Sequence, residues 1–424
     1  MQKFPPLPSQ TDPRMTAPPQ TGLAAMTVRA PALQPPASDN APIRIGLLLP
    51  LSGQHAALGE ALLQAAQLAL FDFADPRLFL LPRDTAGTPE KAASAAENLI
   101  AEGAEILLGP VFADAVAAAA EPARRNGLNV IAFSTDRDVA GDNVFLLSFL
   151  PEQEIARIIG YAQAQDIWRF AALIPETAYG DRVEEAFRQS ASNGATMLPS
   201  IAEPPRIGHY WNTPEAMHDS VKRIADYEDR RQALAEQIKL LEKSADPFAK
   251  EALEELRHRE TLGDVNYDAI LVAEGGADLR ALAPLLPYYD IDPAKVKFLG
   301  TGLWNDPSIH QEPALVGGWF PAPQPEAAAR FRAQMQSIYG TNPPPVAALA
   351  YDAIALTAVL ARNPSATTFS RQALINPDGF VGVNGLFRFH ENGLSERGLA
   401  VLEVIKTGTR VIDPAPTRFA PMLR

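Results

Sequence analysis

The sequence contains no cysteine. Composition alone therefore excludes disulfides, thiolate nucleophiles, zinc–thiolate sites and iron–sulfur clusters. An excess of positive charge is also lacking, because 37 Lys and Arg stand against 50 Asp and Glu, a net charge of −13. Nucleic-acid phosphates and anionic membranes both attract basic surfaces, so we expect neither as a partner. No stretch reaches the ~20 apolar residues of a membrane-spanning helix.

Sequence motifs for catalysis and for cofactors are missing as well. Gly53 and Gly59 are six residues apart, but no Gly-Lys-Ser/Thr follows them, and the first strand is not followed by G-x-G-x-x-G. No serine lies in a G-x-S-x-G elbow. The six histidines are scattered without metal-ligand spacing, and His55 alone lies in a strand-to-helix loop. We expect no catalytic residue, no metal and no cofactor.

Proline is abundant, and it is concentrated at the amino-terminal end. Ten of the 39 prolines fall in residues 1–42, where no apolar periodicity appears. Proline supplies no main-chain donor and favours extended, solvated chain. We predict a disordered Pro-rich linker over 1–42. It lacks the basic start and apolar run of a signal peptide, so we expect either a cytoplasmic protein or one whose targeting segment preceded Met1.

From residue 43 onward, apolar strands alternate with amphipathic helices. Continuous apolar runs such as 43–51 are typical of strands buried on both faces. At one helix start, Thr88 is predicted as the N-cap and Pro89 as the first helical residue. The alternation predicts an α/β fold of doubly wound parallel sheets, repeated in two lobes. The predicted strands are 43–51, 77–82, 105–110, 129–134, 144–149, 169–175, 195–200, 268–274, 296–301, 385–389 and 399–412.

The segment 210–262 interrupts the second lobe and differs from it in composition. Between Lys222 and Leu262, 19 of 41 residues are charged. Apolar residues continue at helical spacing, and Asp246-Pro247 predicts the start of a second helix. We predict a charged helical hairpin. Two interpretations remain open for it: a solvated structural insertion, or an arm that docks a partner.

In open parallel sheets, ligands bind at the carboxyl ends of the strands, beside helix N-termini. Small residues, hydroxyls and a few aromatics occupy those loops here, a mixture that can hold a small polar molecule. The alternative is ordinary turn chemistry, which needs the same residue types. The candidate ligand-binding residues are Ser52, Gly53, Gly109, Pro110, Phe112, Ser134 and Thr135 in the first lobe and Tyr179, Glu274 and Gly275 in the second.

Five segments carry a resemblance to a known family. IGLLLPLSGQHAALGEALLQAAQLAL (45–70) resembles the opening of type I periplasmic binding proteins, in which the first strand ends in P-L-S/T-G. ILLGPVFADAV (106–116), NVIAFST (129–135), LIPETAYGDRVEEAF (173–187) and YDAIALTAVLA (351–361) resemble later segments of the same superfamily. This superfamily includes the leucine/isoleucine/valine-binding proteins. Within it, the charged insertion, which ends in the segment 260–286, resembles the corresponding part of the penicillin-binding protein activator group.

The resemblance implies a hinge between two interleaved lobes. It places lobe one at 43–148 plus 302–395, lobe two at 149–301 plus 396–413, the helical insertion at 210–262 and a tail at 414–424. It implies a non-catalytic periplasmic lipoprotein, associated with the outer membrane, that activates a peptidoglycan synthase by surface contact or through the insertion. The alternative is a solute-binding protein of an ABC transporter, holding an amino acid or another small polar ligand between its lobes.

The sequence departs from that family in three places. Amino-acid-binding relatives place a serine after the third strand to hold a ligand carboxylate, whereas Phe112-Ala113-Asp114 has no hydroxyl and adds a negative charge. The better-known activators carry a helical-repeat domain ahead of this fold, which 42 residues cannot supply. A lipid-anchored member would carry a lipobox cysteine, so the given chain is expected to lack its anchor or not to be lipidated.

Overall fold

A computed structural model describes residues 41–197, 204–244, 246–362 and 368–419, of which 193–197 and 310 are described by their main chain only. The predicted linker over 1–42 lies outside these residues except for its last two, and only residues 414–419 of the predicted tail are described. Within the described residues, no helix is both long and apolar enough to cross a membrane. All features below belong to the compact unit Pro42–Arg424.

The structure alternates strands and helices as predicted for most of its length. The strands are Ile43–Leu49 (β1), Leu78–Asp84 (β2), Ile106–Leu108 (β3), Val130–Ala132 (β4), Val144–Leu146 (β5), Phe170–Pro175 (β6), Arg206–Tyr210 (β7), Ala269–Val272 (β8), Lys297–Gly300 (β9), Trp319–Ala322 (β10), Phe380–Gly382 (β11), Gly385–Phe389 (β12), Ser395–Arg397 (β13), Ala400–Ile405 (β14) and Gly408–Asp413 (β15). The helices are Ala56–Phe73 (α1), Pro89–Ala101 (α2), Ala113–Arg125 (α3), Pro151–Ala164 (α4), Ala178–Met197 (α5), Pro214–Ile224 (α6), Tyr227–Glu242 (α7), Pro247–Leu256 (α8), Gly276–Leu282 (α9), Leu285–Tyr288 (α10), Pro325–Tyr339 (α11), Ala347–Leu360 (α12) and Arg371–Leu374 (α13).

The strands form two large sheets, which confirms the two-lobed α/β class. Sheet one has the order β2-β1-β3-β4-β5 and is parallel throughout. Sheet two has the order β15-β14-β10-β9-β8-β6-β7. Its strands from β10 to β7 are parallel, and β14 and β15 add two antiparallel strands at one edge. A small antiparallel sheet, β11-β12-β13, was not predicted.

Each large sheet is covered by helices on both faces, which explains its apolar strands. In β1, Ile45 and Leu47 pack against α1 and α12 on one face, and Leu48 packs against α2 and α3 on the other. All three side chains are fully buried. In sheet two, α6 and α9 cover one face and α4 and α5 cover the other. Burial on both faces is what turns parallel strands into continuous apolar runs.

Two predicted helix starts are confirmed by their capping hydrogen bonds. The Thr88 side chain accepts from the Lys91 main-chain N–H, with Pro89 opening α2. The Asp246 carboxylate accepts from the Phe248 N–H at 3.0 Å, with Pro247 opening α8. A side-chain acceptor satisfies one of the N–H groups that lack a partner at a helix start.

The predicted strand at 195–200 is wrong in its described part. Helix α5 continues through Met197, because adding residues to a helix already formed costs little, even through the Asn-Gly at 193–194. The strand in this part of sheet two is β7, Arg206–Tyr210. It contains arginine, glycine and histidine, so it is not a continuous apolar run and was not predicted.

The chain also keeps to sheet two through β10, beyond the lobe boundary predicted at residue 302. The other lobe boundaries stay a prediction. Of the predicted insertion, α6 packs into the core of sheet two through Met217, Val221 and Ile224. Helices α7 and α8 are its exposed part. Arg230 of α7 fastens them to lobe two by donating to the Gly263 carbonyl at 2.6 Å and to Asp290 Oδ2 at 3.0 Å.

Candidate functional site

The carboxyl ends of β1 and β2 hold the first predicted site residue, Ser52, in an internal contact. Its hydroxyl donates to Asp84 Oδ2 at 2.5 Å, and the main-chain N–H groups of Leu51 and Ser52 donate to Asp84 Oδ1 at 2.8 and 3.1 Å. Burial raises the pKa of Asp84, but these hydrogen bonds outweigh it and hold that pKa below its ordinary value. The Ser52 hydroxyl is thereby committed to a carboxylate. Gly53, which follows it, begins a short 3-10 turn with φ of +78°.

The loop after β3 contains Gly109, Pro110 and Phe112. Gly109 has φ of +81°, and a Cβ there would lie 2.2 Å from the Leu48 carbonyl oxygen, so glycine is required. The Gly109–Pro110 peptide is cis. The Phe112 ring packs against His55 with centroids 4.5 Å apart. These two rings from neighbouring loops form an aromatic surface. We call the loops after β1, β3 and β4 the lobe-one wall.

Ser134 and Thr135 follow β4 and have different environments. Ser134 is buried, and its hydroxyl oxygen accepts from the Asp136 N–H at 3.1 Å. Thr135 is exposed. Since β1, β3 and β4 are adjacent in sheet one, the loops that carry Ser52, Gly109 and Ser134 lie side by side.

The lobe-two wall is built from the loops after β6, β8 and β9, which are also adjacent. The Tyr179 hydroxyl donates to Thr301 Oγ1 at 2.9 Å. Glu274 accepts from the Tyr210 hydroxyl at 2.9 Å and from the Gly275 N–H at 3.1 Å. Burial raises the pKa of Glu274 above its ordinary value, against the opposing effect of these bonds. The predicted pair Tyr179 and Glu274 is thus brought to one wall.

Sequence reasoning missed three residues of this wall: Glu154, Thr301 and Tyr210. Glu154, on the first turn of α4, is 8% exposed and accepts from the Gly302 N–H at 2.9 Å. Burial raises its pKa to about 7, and the Gly302 bond only partly opposes that. A glutamate on a helix is usually exposed to solvent, so nothing in the sequence predicted that Glu154 is buried. Thr301 was the last residue of a predicted strand and could have been found by the same carboxyl-end rule.

Ion pairs from two arginines join the two walls: those of Arg182 and the pair of Arg137 with Glu152 at 3.6 Å. Arg182 of α5 donates to Asp136 Oδ1 at 3.0 Å and to Asp138 Oδ2 at 2.6 Å. Both aspartates lie in the loop after β4, so these ion pairs run from lobe two to lobe one. Exposed pairs of this kind are each worth about 1 kcal/mol or less, and less in high salt. The bridge therefore holds the lobes together while leaving them separable.

The side chains of the site can form hydrogen bonds and ion pairs. The serine, tyrosine and glutamate side chains described above have hydrogen-bond partners within the chain. Among the residues that the structure describes, no group of three or more His, Asp or Glu could hold a metal ion. The ten predicted ligand residues lie on the two walls, but ligand binding by them stays a prediction.

The fold is that of type I periplasmic binding proteins, and the comparisons agree with it. A model of the family described as periplasmic binding protein matches residues 42–206. A relative in Rickettsia prowazekii, described as an uncharacterized protein, is 23% identical over 188 residues. That match covers 44% of this chain and 48% of the relative, so the chain spans about half the length of the curated relative it matches.

Solved structures are similar over most of both chains. A putative branched-chain amino acid ABC transporter protein from Rhodospirillum rubrum has 18% identity and a TM-score of 0.67, covering 88% of this chain and 100% of its own. The LpoA (YraM) C-domain from Haemophilus influenzae, a regulator of PBP1A, has 15% identity and a TM-score of 0.59, covering 87% and 99%. LivJ from Streptococcus pneumoniae, in complex with isoleucine, has 18% identity and a TM-score of 0.55, covering 88% and 100%. At these identities the likeness concerns the fold.

Proposed function

We propose that this protein is a non-catalytic cell-envelope protein of the periplasm that activates a peptidoglycan synthase by protein contact. Attachment to the outer membrane as a lipoprotein is part of this proposal. The observation that carries the proposal is the bridge from Arg182 to Asp136 and Asp138, because it ties lobe two to lobe one with the protein's own side chains. A protein whose lobes hold each other this way does not need a ligand to close.

The exposed helices α7 and α8 supply a surface suited to contact. Leu240, in the last turn of α7, is 64% exposed, and Phe248, in the first turn of α8, is 79% exposed. Exposed apolar side chains among charged ones are typical anchors for a partner. The similarity to the LpoA C-domain, which its description calls a regulator of PBP1A, points to a synthase as that partner.

A second function, solute binding for an ABC transporter, is favoured by the lobe-two wall. Glu154 and Glu274 are buried and half-buried carboxyl groups beside the hydroxyls of Tyr179 and Tyr210. Such a set can accept hydrogen bonds from a ligand ammonium group. The Arg182 bridge would then have to open to admit the ligand.

Replacing Leu240 and Phe248 together by serine should weaken binding to the synthase of the same organism at least tenfold. Removing two desolvated anchors costs more than ~1.4 kcal/mol, which is tenfold in affinity. The measurement is surface plasmon resonance between purified proteins. The control replaces Phe71 and Ile338, two exposed apolar residues on lobe one, by serine. Equal loss in both variants, or no binding by the unaltered protein, contradicts the proposal.

Replacing Arg182 by alanine should shift the lobes toward open states by roughly 5- to 30-fold, since two cross-lobe ion pairs together are worth about 1–2 kcal/mol. Because the chain has no cysteine, spin labels at E90C and E185C report the interlobe distance without background. The control is Arg188→Ala, which breaks an ion pair within α5. An unchanged distance distribution in Arg182→Ala would show that the bridge does not hold the cleft.

A ligand screen by thermal unfolding separates the two functions. A solute bound at 100 times its dissociation constant adds about 2.7 kcal/mol to the free energy of unfolding. We expect no shift with amino acids or peptidoglycan fragments. A reproducible shift with an amino acid, abolished by Glu274→Gln, would favour the solute-binding function instead.

A further inference from the structure

Strand β7 lies at one edge of sheet two and pairs only with β6 among the described strands. The Glu176 N–H donates to the Tyr210 carbonyl at 2.9 Å, so Tyr210 turns its main-chain groups toward β6. Main-chain groups alternate in direction along a strand. Ile207 and His209 therefore turn their N–H and C=O groups away from the sheet.

These outward groups are almost unused. Within the described chain, neither the Ile207 nor the His209 N–H has a hydrogen bond on the outer side. The His209 carbonyl accepts only a long 3.5 Å contact from Arg223. An edge strand with free donors and acceptors is a template for pairing with another extended chain. The His209 side chain is held by Glu184 at 2.6 Å and so leaves the edge open.

A cavity of about 1030 Å³ runs along this edge, between β7 and the side of α6 and the start of α7. It extends from Arg206 to Trp211, and Trp211 is 65% exposed. Five residues of extended chain span about 17 Å, the length of β7 itself. All five residues of β7 line the cavity, so an added strand of that length would lie beside the whole edge.

The side chains around the cavity carry a net negative charge. Three cations and five carboxylates line it, and 3 − 5 = −2: Arg206, Lys222 and Arg223 against Glu176, Asp219, Asp226, Glu228 and Asp229. Asp226 is paired with Arg206, and Glu228 with Lys222. Within the described residues, Glu176, Asp219 and Asp229 make no ion pair. Among the described residues, Arg223 makes no ion pair either, so the unpaired charges of the cavity are three carboxylates and one cation, and their sum is negative.

We propose that the outer edge of β7 binds an extended, basic segment of a partner polypeptide as an added strand of sheet two. Main-chain hydrogen bonds to Ile207 and His209 fix the segment. Its lysine or arginine side chains face Asp219 and Asp229, and Trp211 gives apolar contact. This surface is distinct from Leu240 and Phe248, and the proposal does not depend on the synthase proposed above.

The test uses two capped heptapeptides, one alternating lysine with valine and one alternating glutamate with valine. In the free protein, the amide protons of Ile207 and His209 should exchange rapidly by NMR. The lysine peptide should slow both at least tenfold, and the glutamate peptide should not. Protection by neither peptide, or by both equally, overturns the proposal.

Variants separate main-chain pairing from other contacts. His209→Pro removes one outward N–H at an edge position where proline is tolerated, and should weaken lysine-peptide binding at least tenfold by calorimetry. His209→Ala keeps that N–H and should bind within about threefold of the unaltered protein. Should His209→Pro not fold, the double variant Asp219→Lys, Asp229→Lys should lose the lysine peptide and gain the glutamate one.

The same experiment also tests two other possible occupants of the β7 edge. Slow exchange of both amides in the free monomer would show that this chain covers its own edge, which overturns the proposal. Protection that grows with protein concentration, together with a dimer in sedimentation, would assign the edge to a second copy and also overturns it.

Discussion

Replacing Arg397 by alanine should lower the free energy of unfolding by about 3 kcal/mol, because it leaves the buried carboxyl of Asp352 without the opposing charge. Arg397 is 5% exposed, and burial lowers the pKa of its guanidinium to about 10, against the opposing charge of Asp352. Its Nε donates to the Ser148 carbonyl at 2.9 Å, and the guanidinium lies 4.3 Å from the Phe149 ring centroid.

The loss is large because Asp352 would remain buried without its counter-charge. Asp352 is fully buried on α12 and accepts from the Val383 N–H at 2.6 Å. Burial already raises its pKa to about 6 while Arg397 lowers it. Asp352 thus holds the β11–β12 turn through Val383, and Arg397 separately holds β13 to the crossover at Ser148.

Urea unfolding measures this loss, and a second variant tests its cause. The double variant Arg397→Met, Asp352→Asn removes both buried charges and should recover most of the lost stability, because neither side chain then leaves an opposing charge uncompensated. Arg362→Ala, at an exposed arginine, should change stability by less than about 0.5 kcal/mol. A double variant as unstable as Arg397→Ala would mean that lost packing, not the unpaired charge, causes the effect.

Replacing Glu154 by glutamine should remove about 2–3 kcal/mol of pH-dependent stability between pH 5 and pH 8. The pKa of Glu154 is about 7 in the folded protein against an ordinary 4.5. Each pKa unit corresponds to about 1.4 kcal/mol. Because the folded pKa is the higher one, the folded state favours the proton, and its stabilising contribution is complete below about pH 4.5 and lost as pH rises through about 7.

The measurement compares urea unfolding of the two proteins at both pH values. We expect Glu154→Gln to be close to the unaltered protein at pH 5 and more stable at pH 8, since glutamine keeps an acceptor for Gly302 without a charge. Glu90→Gln, an exposed glutamate on α2, controls for the loss of one carboxylate from a strongly acidic chain. An equal difference at both pH values would show that Glu154 does not titrate in this range.

Predictions from residues close together in the sequence were reliable where the structure depends on those residues alone. Thr88-Pro89 and Asp246-Pro247 began helices as predicted, because a cap requires only residues within one turn. The buried strand run at β1 was equally clear. The strand predicted at 195–200 failed, because a short apolar run is compatible with a helix that is already propagating.

The candidate site was predictable in position but not in its contacts. The carboxyl-end rule located Ser52, Tyr179 and Glu274, which the structure places on the two walls. It could not show that Ser52 binds Asp84, 32 residues away, or that Tyr179 binds Thr301, 122 residues away. Glu154 and Arg182 were overlooked because charged residues on helices are usually solvated.

The sequence by itself determined the absence of cysteine chemistry, the acidic charge and the repeated strand–helix alternation that specifies two sheets. Those properties follow from composition and from periodicities of a few residues. The tertiary structure alone decided that Arg182 joins the lobes, that Glu154 and Asp352 are buried, and that β7 pairs on one side only among the described strands. Each depends on residues distant in the chain, and their meeting is set by the packing of whole sheets and helices.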